Sequence, residues 1–234
     1  MGFELEMFVC YTIDTFGGGL DPTKFAPDPQ ILNVSQWVST AKAMGARVAV
    51  LTSKHEAGFC LWPSNFSNFT VAHSPTVGGR DLVKEFMDEC RRQDILPGLY
   101  FTTTDTYNPD NPDKWEIQYG QMRELTQNYG DLAYFWFDHH NALQRDNGGK
   151  VVWDVIDAIV REHQPDCAML GPDCWLTGAE TGFASYPMWA GVDTTDNTTH
   201  GRPVPADAVH GNPHGTWFKV WESDCSNYAG CHRK

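Results

Sequence analysis

Three short stretches hold residue types that could do chemistry. Asp138 closes the aromatic run AYFWFDHHN, where bulky neighbours would desolvate a carboxylate and restrict its rotamers. Glu180 lies 42 residues further on, in GPDCWLTGAETG. His55 and Glu56 sit side by side in LTSKHEAGFCLWPSNFSNFT, where an apolar run gives way to a polar loop. Two carboxylates on neighbouring loops can converge across a sugar, one as nucleophile and the other as acid and then base, when they lie about 5 to 5.5 Å apart. Each also has an ordinary structural reading, a capping carboxylate or a histidine satisfied by its loop. Asp138 with His55, His139 and His140 could instead ligate a metal, but adjacent histidines at a strand end point in opposite directions. No G-x-S-x-G elbow supports a serine hydrolase. The residues therefore predict acid–base and nucleophilic carboxylate chemistry, with neither metal nor cofactor.

The elements that must position these residues follow from hydrophobic patterning. Apolar runs at Met7 to Ile13, Val48 to Ser53, Leu96 to Thr102, Leu132 to Phe137 and Cys167 to Leu170 read as strands buried on both faces. Amphipathic helices alternate with them. Their apolar stripes are Trp37, Val38, Ala41 and Met44, then Leu82, Val83, Phe86, Met87 and Cys90. Two more follow: Trp115, Tyr119, Met122, Leu125 and Tyr129, and Val152, Val155, Ile156, Ile159 and Val160. Gly45 and Gly130 stand as stop signals for two of these helices. Such alternation predicts an α/β fold of parallel units, either a TIM-like (β/α) barrel or a doubly wound sheet. Thr15 to Gly19 lacks the spacing of a dinucleotide-binding turn, which favours the barrel. His55 and Glu56, Thr103 to Asp105, Asp138 to His140, and Pro172 with Asp173 then all follow the carboxyl ends of successive strands, where such barrels carry their chemistry.

Composition narrows the partners. At 234 residues the chain suits a single catalytic domain spanning 1–234, and a net charge of −13 opposes nucleic acid and anionic membrane surfaces. No apolar run approaches the roughly 20 residues of a membrane span. Nine Trp, eight Tyr and 13 Phe supply both core and surfaces for stacking on sugar faces. Seven scattered cysteines include no C-x-x-C; Cys225 and Cys231 could close a short loop. Sequons at Asn33, Asn65, Asn68 and Asn197 lean toward a secretory route. From Met1 to Met7 the sequence has no signal peptide, so a secreted protein would have a leader outside this chain.

With these residues assembled, the chain resembles the glycoside hydrolase family 29 α-L-fucosidases. The match is carried by MFVCYTIDTF, QWVSTAKAMGARVAVLTSKHEAGFCLWPS, DLVKEFMDECRRQDILPGLYF and ELTQNYGDLAYFWFD, over roughly residues 5 to 190. The resemblance implies a (β/α)-barrel and a retaining reaction on terminal α-L-fucosyl groups of a glycan or polysaccharide. It places the nucleophile on Asp138, at the family's W-F-D-G motif, and the acid/base on Glu180. Substrate contacts fall on His55, the first histidine of K-H-H-D-G-F, on Tyr100, on Trp136, and on Glu56 beside His55.

Departures from the pattern are specific. Cys10-Tyr11-Thr12 stands where the family has H-F-G, Glu56 and Ala57 follow His55, GGGLDPTKF replaces the E-W-G segment, and Trp175 replaces an arginine. Two other readings stay open: a carbohydrate-binding homologue without hydrolysis, and a glycosidase for a related α-linked sugar. Five strand–helix units occupy the first 173 residues, so the last barrel strands are expected to be missing. Truncation, a partner covering the sheet edges, or a different closure would each account for this.

Overall fold

The structure is a computed structural model that describes residues 5–138, 153–170, 174–177, 191–192, 217–218 and 220–223. The chain divides into two compact units, Met1–Cys167 and Ala168–Lys234. In the first, β1 (Glu6–Val9), β2 (Val48–Lys54), β3 (Leu96–Thr102) and β4 (Tyr134–Asp138) lie in that order, with parallel pairings throughout. Helices α1 (Val34–Ala43), α2 (Leu82–Gln93) and α3 (Lys114–Gln127) connect successive strands, and α4 (Trp153–His163) follows β4. The expected α/β fold with a parallel sheet is what forms. In the second unit β5 (Ala168–Met169) comes first, β6 (Cys174–Thr177) pairs parallel with β9 (Val220–Ser223), and β7 (Gly191–Val192) pairs antiparallel with β8 (Trp217–Phe218). Among the described residues, no helix is long and apolar enough to cross a membrane.

Local chemistry sets the helix ends. The Asn33 carboxamide accepts the Gln36 N–H at the start of α1, and the Asp81 carboxylate accepts the Lys84 N–H at the start of α2. Asp94 ends α2 in the left-handed conformation, φ 62°, one of the few non-glycine types that adopt it readily. Helix α2 buries Leu82, Val83, Phe86, Met87 and Cys90, the stripe its periodicity predicts.

Two elements differ from that pattern in three respects. β1 ends at Val9 rather than Ile13 because Thr12 and Thr15 exchange side-chain and backbone hydrogen bonds that start a 3₁₀ turn over Ile13–Phe16. It is also only part-buried, because it stands at the end of the strand order. Third, α3 buries Gln118, Gln121 and Glu124 beside Tyr119, Met122 and Leu125.

Glu124 shows why a polar residue is inside. Its carboxylate accepts from Trp62 Nε1 (2.9 Å), Ser64 Oγ (2.7 Å), the Asn65 N–H (2.8 Å) and Asn65 Nδ2 (2.9 Å). This one side chain ties Trp62, Ser64 and Asn65 of the loop after β2 to α3. Glu124→Ala strands several donors in a water-poor site and is expected to lower stability by about 3 kcal/mol in urea unfolding, whereas Arg123→Ala on the exposed face stays within about 0.5 kcal/mol.

Candidate active site

The sheet register brings the sequence-selected residues to one face. Tyr100 of β3 pairs with Trp136 of β4, and Thr102 with Asp138 one step of alternation further on. Side chains two residues apart share a face, so Tyr100, Trp136 and Asp138 project together at the carboxyl ends of β3 and β4. The Tyr100 and Trp136 rings stack at 5.2 Å and 23°. Phe8 of β1 meets both edge-on, at 5.4 Å from Tyr100 and 5.8 Å from Trp136.

His55 reaches this face because β2 is irregular. Thr52 pairs with Tyr100, yet Lys54 pairs with Phe101, so one extra residue is accommodated between Thr52 and Lys54. In a regular strand Lys54 would share the face of Thr52 and Tyr100, and His55 would point away. The bulge exchanges them. Ser53, the inserted residue, donates its hydroxyl to the Tyr100 carbonyl at 2.6 Å, fixing the kink to β3. His55 then stacks on Tyr100 at 5.6 Å and 17°, and its Nδ1 is buried with no hydrogen bond to the described residues.

The electrostatic centre is Asp138. Tyr100 Oη donates to Asp138 Oδ2 at 2.6 Å. The phenol is almost wholly enclosed, at 3% exposure, while Asp138 remains part-exposed. Burial first, then the Asp138 carboxylate and more weakly that of Glu56, push the Tyr100 phenol far above its usual range, so it keeps its proton and acts as a fixed hydrogen-bond donor. Glu56 is part-buried, and its carbonyl accepts from Thr106 N (2.9 Å) and Thr106 Oγ1 (3.0 Å).

The described structure thus gathers His55, Tyr100, Trp136 and Asp138, with Glu56 adjoining. Glu180, His139, His140, Asn197, Cys225 and Cys231 lie outside the described residues. Trp175 falls within β6, in register with Trp221. Cys10 follows β1 and is exposed. No group of three or more His, Cys, Asp or Glu side chains among the described residues could hold a metal ion. Sequence reasoning missed Phe8, whose place in the aromatic wall depends on strand order; it placed Asp105 at a strand end but not its pairing with Lys54.

Comparison with known proteins decides the lineage. The α-L-fucosidase family profile matches residues 12–202. The chain belongs to the α-L-fucosidase family. Within it, α-L-fucosidase 1 of Arabidopsis thaliana is 29% identical over 236 residues, covering 95% of this chain and 46% of the plant protein. A rice relative (Oryza sativa subsp. japonica), a candidate α-L-fucosidase 1, is 33% identical over 236 residues, with 95% and 45% covered. A glycoside hydrolase 29 family member from an unknown rumen bacterium superposes with a TM-score of 0.81 at 26% identity, covering 95% of this chain and 44% of that one. The chain therefore spans about half the length of the curated relatives it matches.

The raised Tyr100 phenol makes a pH prediction for this fucosidase-family fold. Its folded pKa exceeds the unfolded value of about 10, so the contribution is complete below about pH 10 and is lost above it, as only the unfolded state releases the proton. Urea midpoints measured at pH 8 and pH 11 are expected to fall less between those values in Tyr100→Phe than in the parent. An identical fall in both would contradict the assignment.

Proposed function

We propose that this chain is an exo-glycosidase acting on terminal α-L-fucosyl groups of glycans or polysaccharides, by a retaining mechanism through a covalent glycosyl-enzyme intermediate. The observation that carries the reading is the carboxylate of Asp138 at the end of β4, hydrogen-bonded by Tyr100 and flanked by Trp136, within a chain of the α-L-fucosidase family. The reading takes 1–234 as one catalytic domain built on a (β/α) barrel. Four sequons favour a secretory location; of them Asn33, Asn65 and Asn68 are exposed.

In this mechanism Asp138 attacks the anomeric carbon as Glu180 protonates the departing glycosidic oxygen. The Tyr100 hydroxyl holds the Asp138 carboxylate in one rotamer and disperses charge from the oxygen that does not attack. As the glycosyl ester forms, the carboxylate loses charge, and as it breaks the charge returns; a donor already in place needs no reorganisation in either step. Glu180, now a carboxylate, takes a proton from water, which attacks the anomeric carbon from the face opposite Asp138. Two inversions give overall retention. The rings of Trp136 and Phe8 offer an apolar wall for the C–H face of a deoxy sugar, and the part-exposed side chains of His55 and Glu56 offer polar atoms for its hydroxyls.

The test is release of nitrophenol from 4-nitrophenyl α-L-fucoside by the purified chain and by Asp138→Gly. Turnover is expected in the parent and none in the variant, with azide restoring release and yielding a β-fucosyl azide. Undiminished turnover by Asp138→Gly would remove the nucleophile assignment. Sugar binding by calorimetry with no turnover in the parent would favour the binding-only homologue instead.

A further inference from the structure

The end of β2 carries a second cluster, on the face of the sheet away from the aromatic wall. Lys54 is fully buried, its Nζ 4.4 Å from the Phe101 ring centroid and 3.6 Å from Asp105 Oδ2. The Asp105 side chain is itself 3% exposed. The pair is an ion contact beyond hydrogen-bond length, and Lys54 Nζ makes no hydrogen bond to any described residue. Burial pushes the ammonium pKa down and Asp105 draws it back up. A methionine would occupy similar volume without desolvating a charge, so stability alone does not account for a cation here.

Asp105 is firmly placed. It accepts from the Tyr107 N–H (3.1 Å), the Asn108 N–H (3.0 Å) and Asn108 Nδ2 (3.3 Å). The turn after β2 is pressed against it: at Gly58, φ +89°, an added Cβ would lie 2.3 Å from Asp105 Oδ1. Thr106, the next residue, donates twice to the Glu56 carbonyl. Two consecutive residues of the loop after β3 therefore hold the two residues that flank His55: Asp105 holds Lys54, and Thr106 holds Glu56.

We propose that Lys54 is a positioning residue, whose ion pair with Asp105 holds the turn after the bulge so that His55 lies over Tyr100. The assignment rests on reading that face as the sugar site. It gives the buried cation a role in orienting a substrate contact that it does not itself touch.

The experiment compares the full-length chain with Lys54→Met and with Lys54→Met/Asp105→Asn, using NMR of histidine-labelled protein with the His55 signal assigned through His55→Gln. In the parent the His55 ring protons are shifted upfield by the Tyr100 face. In Lys54→Met that shift is expected to collapse and kcat/KM on 4-nitrophenyl α-L-fucoside to fall about 10- to 100-fold, while urea unfolding stays cooperative. Should Lys54→Met fail to fold, the neutralised double variant, in which no lone buried carboxylate remains, supplies the same reading: His55 displaced supports the role. A parental His55 shift in whichever variant folds would overturn it. The NMR arm decides the matter even if the parent shows no turnover, an outcome that would count against the fucosidase reading alone.

Discussion

The placement of His55 against the rest of this site depends on one extra residue in β2. A parallel strand presents alternate side chains to opposite faces, and a shift of one residue inverts every position beyond it. The irregularity between Thr52 and Lys54 does this once, at the last turn before the loop. It leaves the interior of β2 wholly buried and regular, then rotates a charged side chain into the helix layer and an imidazole onto the sheet's other face. Phe101 and Asp105 offset only part of the cost of burying Lys54. The return is a histidine stacked on Tyr100. A strand with perfect alternation would have neither.

Around that constraint the site is organised as a rigid aromatic layer with one carboxylate at its edge. Phe8, Tyr100 and Trp136 come from three strands and pack by stacking and edge-on contact; Tyr100 and Trp136 are buried, whereas Phe8 is exposed. Tyr100 belongs to both the layer and the chemistry. Its ring supports His55 and Trp136, and its hydroxyl reaches Asp138. Enclosing the phenol keeps it protonated across the physiological range, which is what a permanent donor to a carboxylate requires.

Cys10 and Glu56, two of the positions where the sequence departs from the pattern it resembles, lie outside the stacked rings: Cys10 follows β1 and is exposed, and Glu56 follows His55 and is part-buried. An acidic side chain in place of a second histidine exchanges a group able to donate for one that only accepts, and adds negative potential toward Tyr100. Such exchanges act on which hydroxyl pattern is selected more than on whether a carboxylate attacks. Family membership and site chemistry are therefore separable from substrate identity.

The sequence by itself determined the periodic elements. Continuous apolar runs gave β2, β3 and β4, and the stripe from Leu82 to Cys90 gave α2, because burial on one or both faces leaves a direct imprint on residue order. It also marked Asp138 and His55 as strand-end residues, and their motifs pointed to the family. Tertiary structure decided which face each residue takes. The bulge at Ser53 has no periodic signature, since its cause is a hydrogen bond to a carbonyl 47 residues away. Glu124 and Lys54 carry no local signal of burial, yet are buried where partners from distant loops meet them. Phe8 became part of the wall only when β1, β3 and β4 were brought to one sheet. Hydrophobicity is a property of each residue and is legible locally; pairing, register and the partner of a buried charge belong to two segments at once, and only the folded chain contains both.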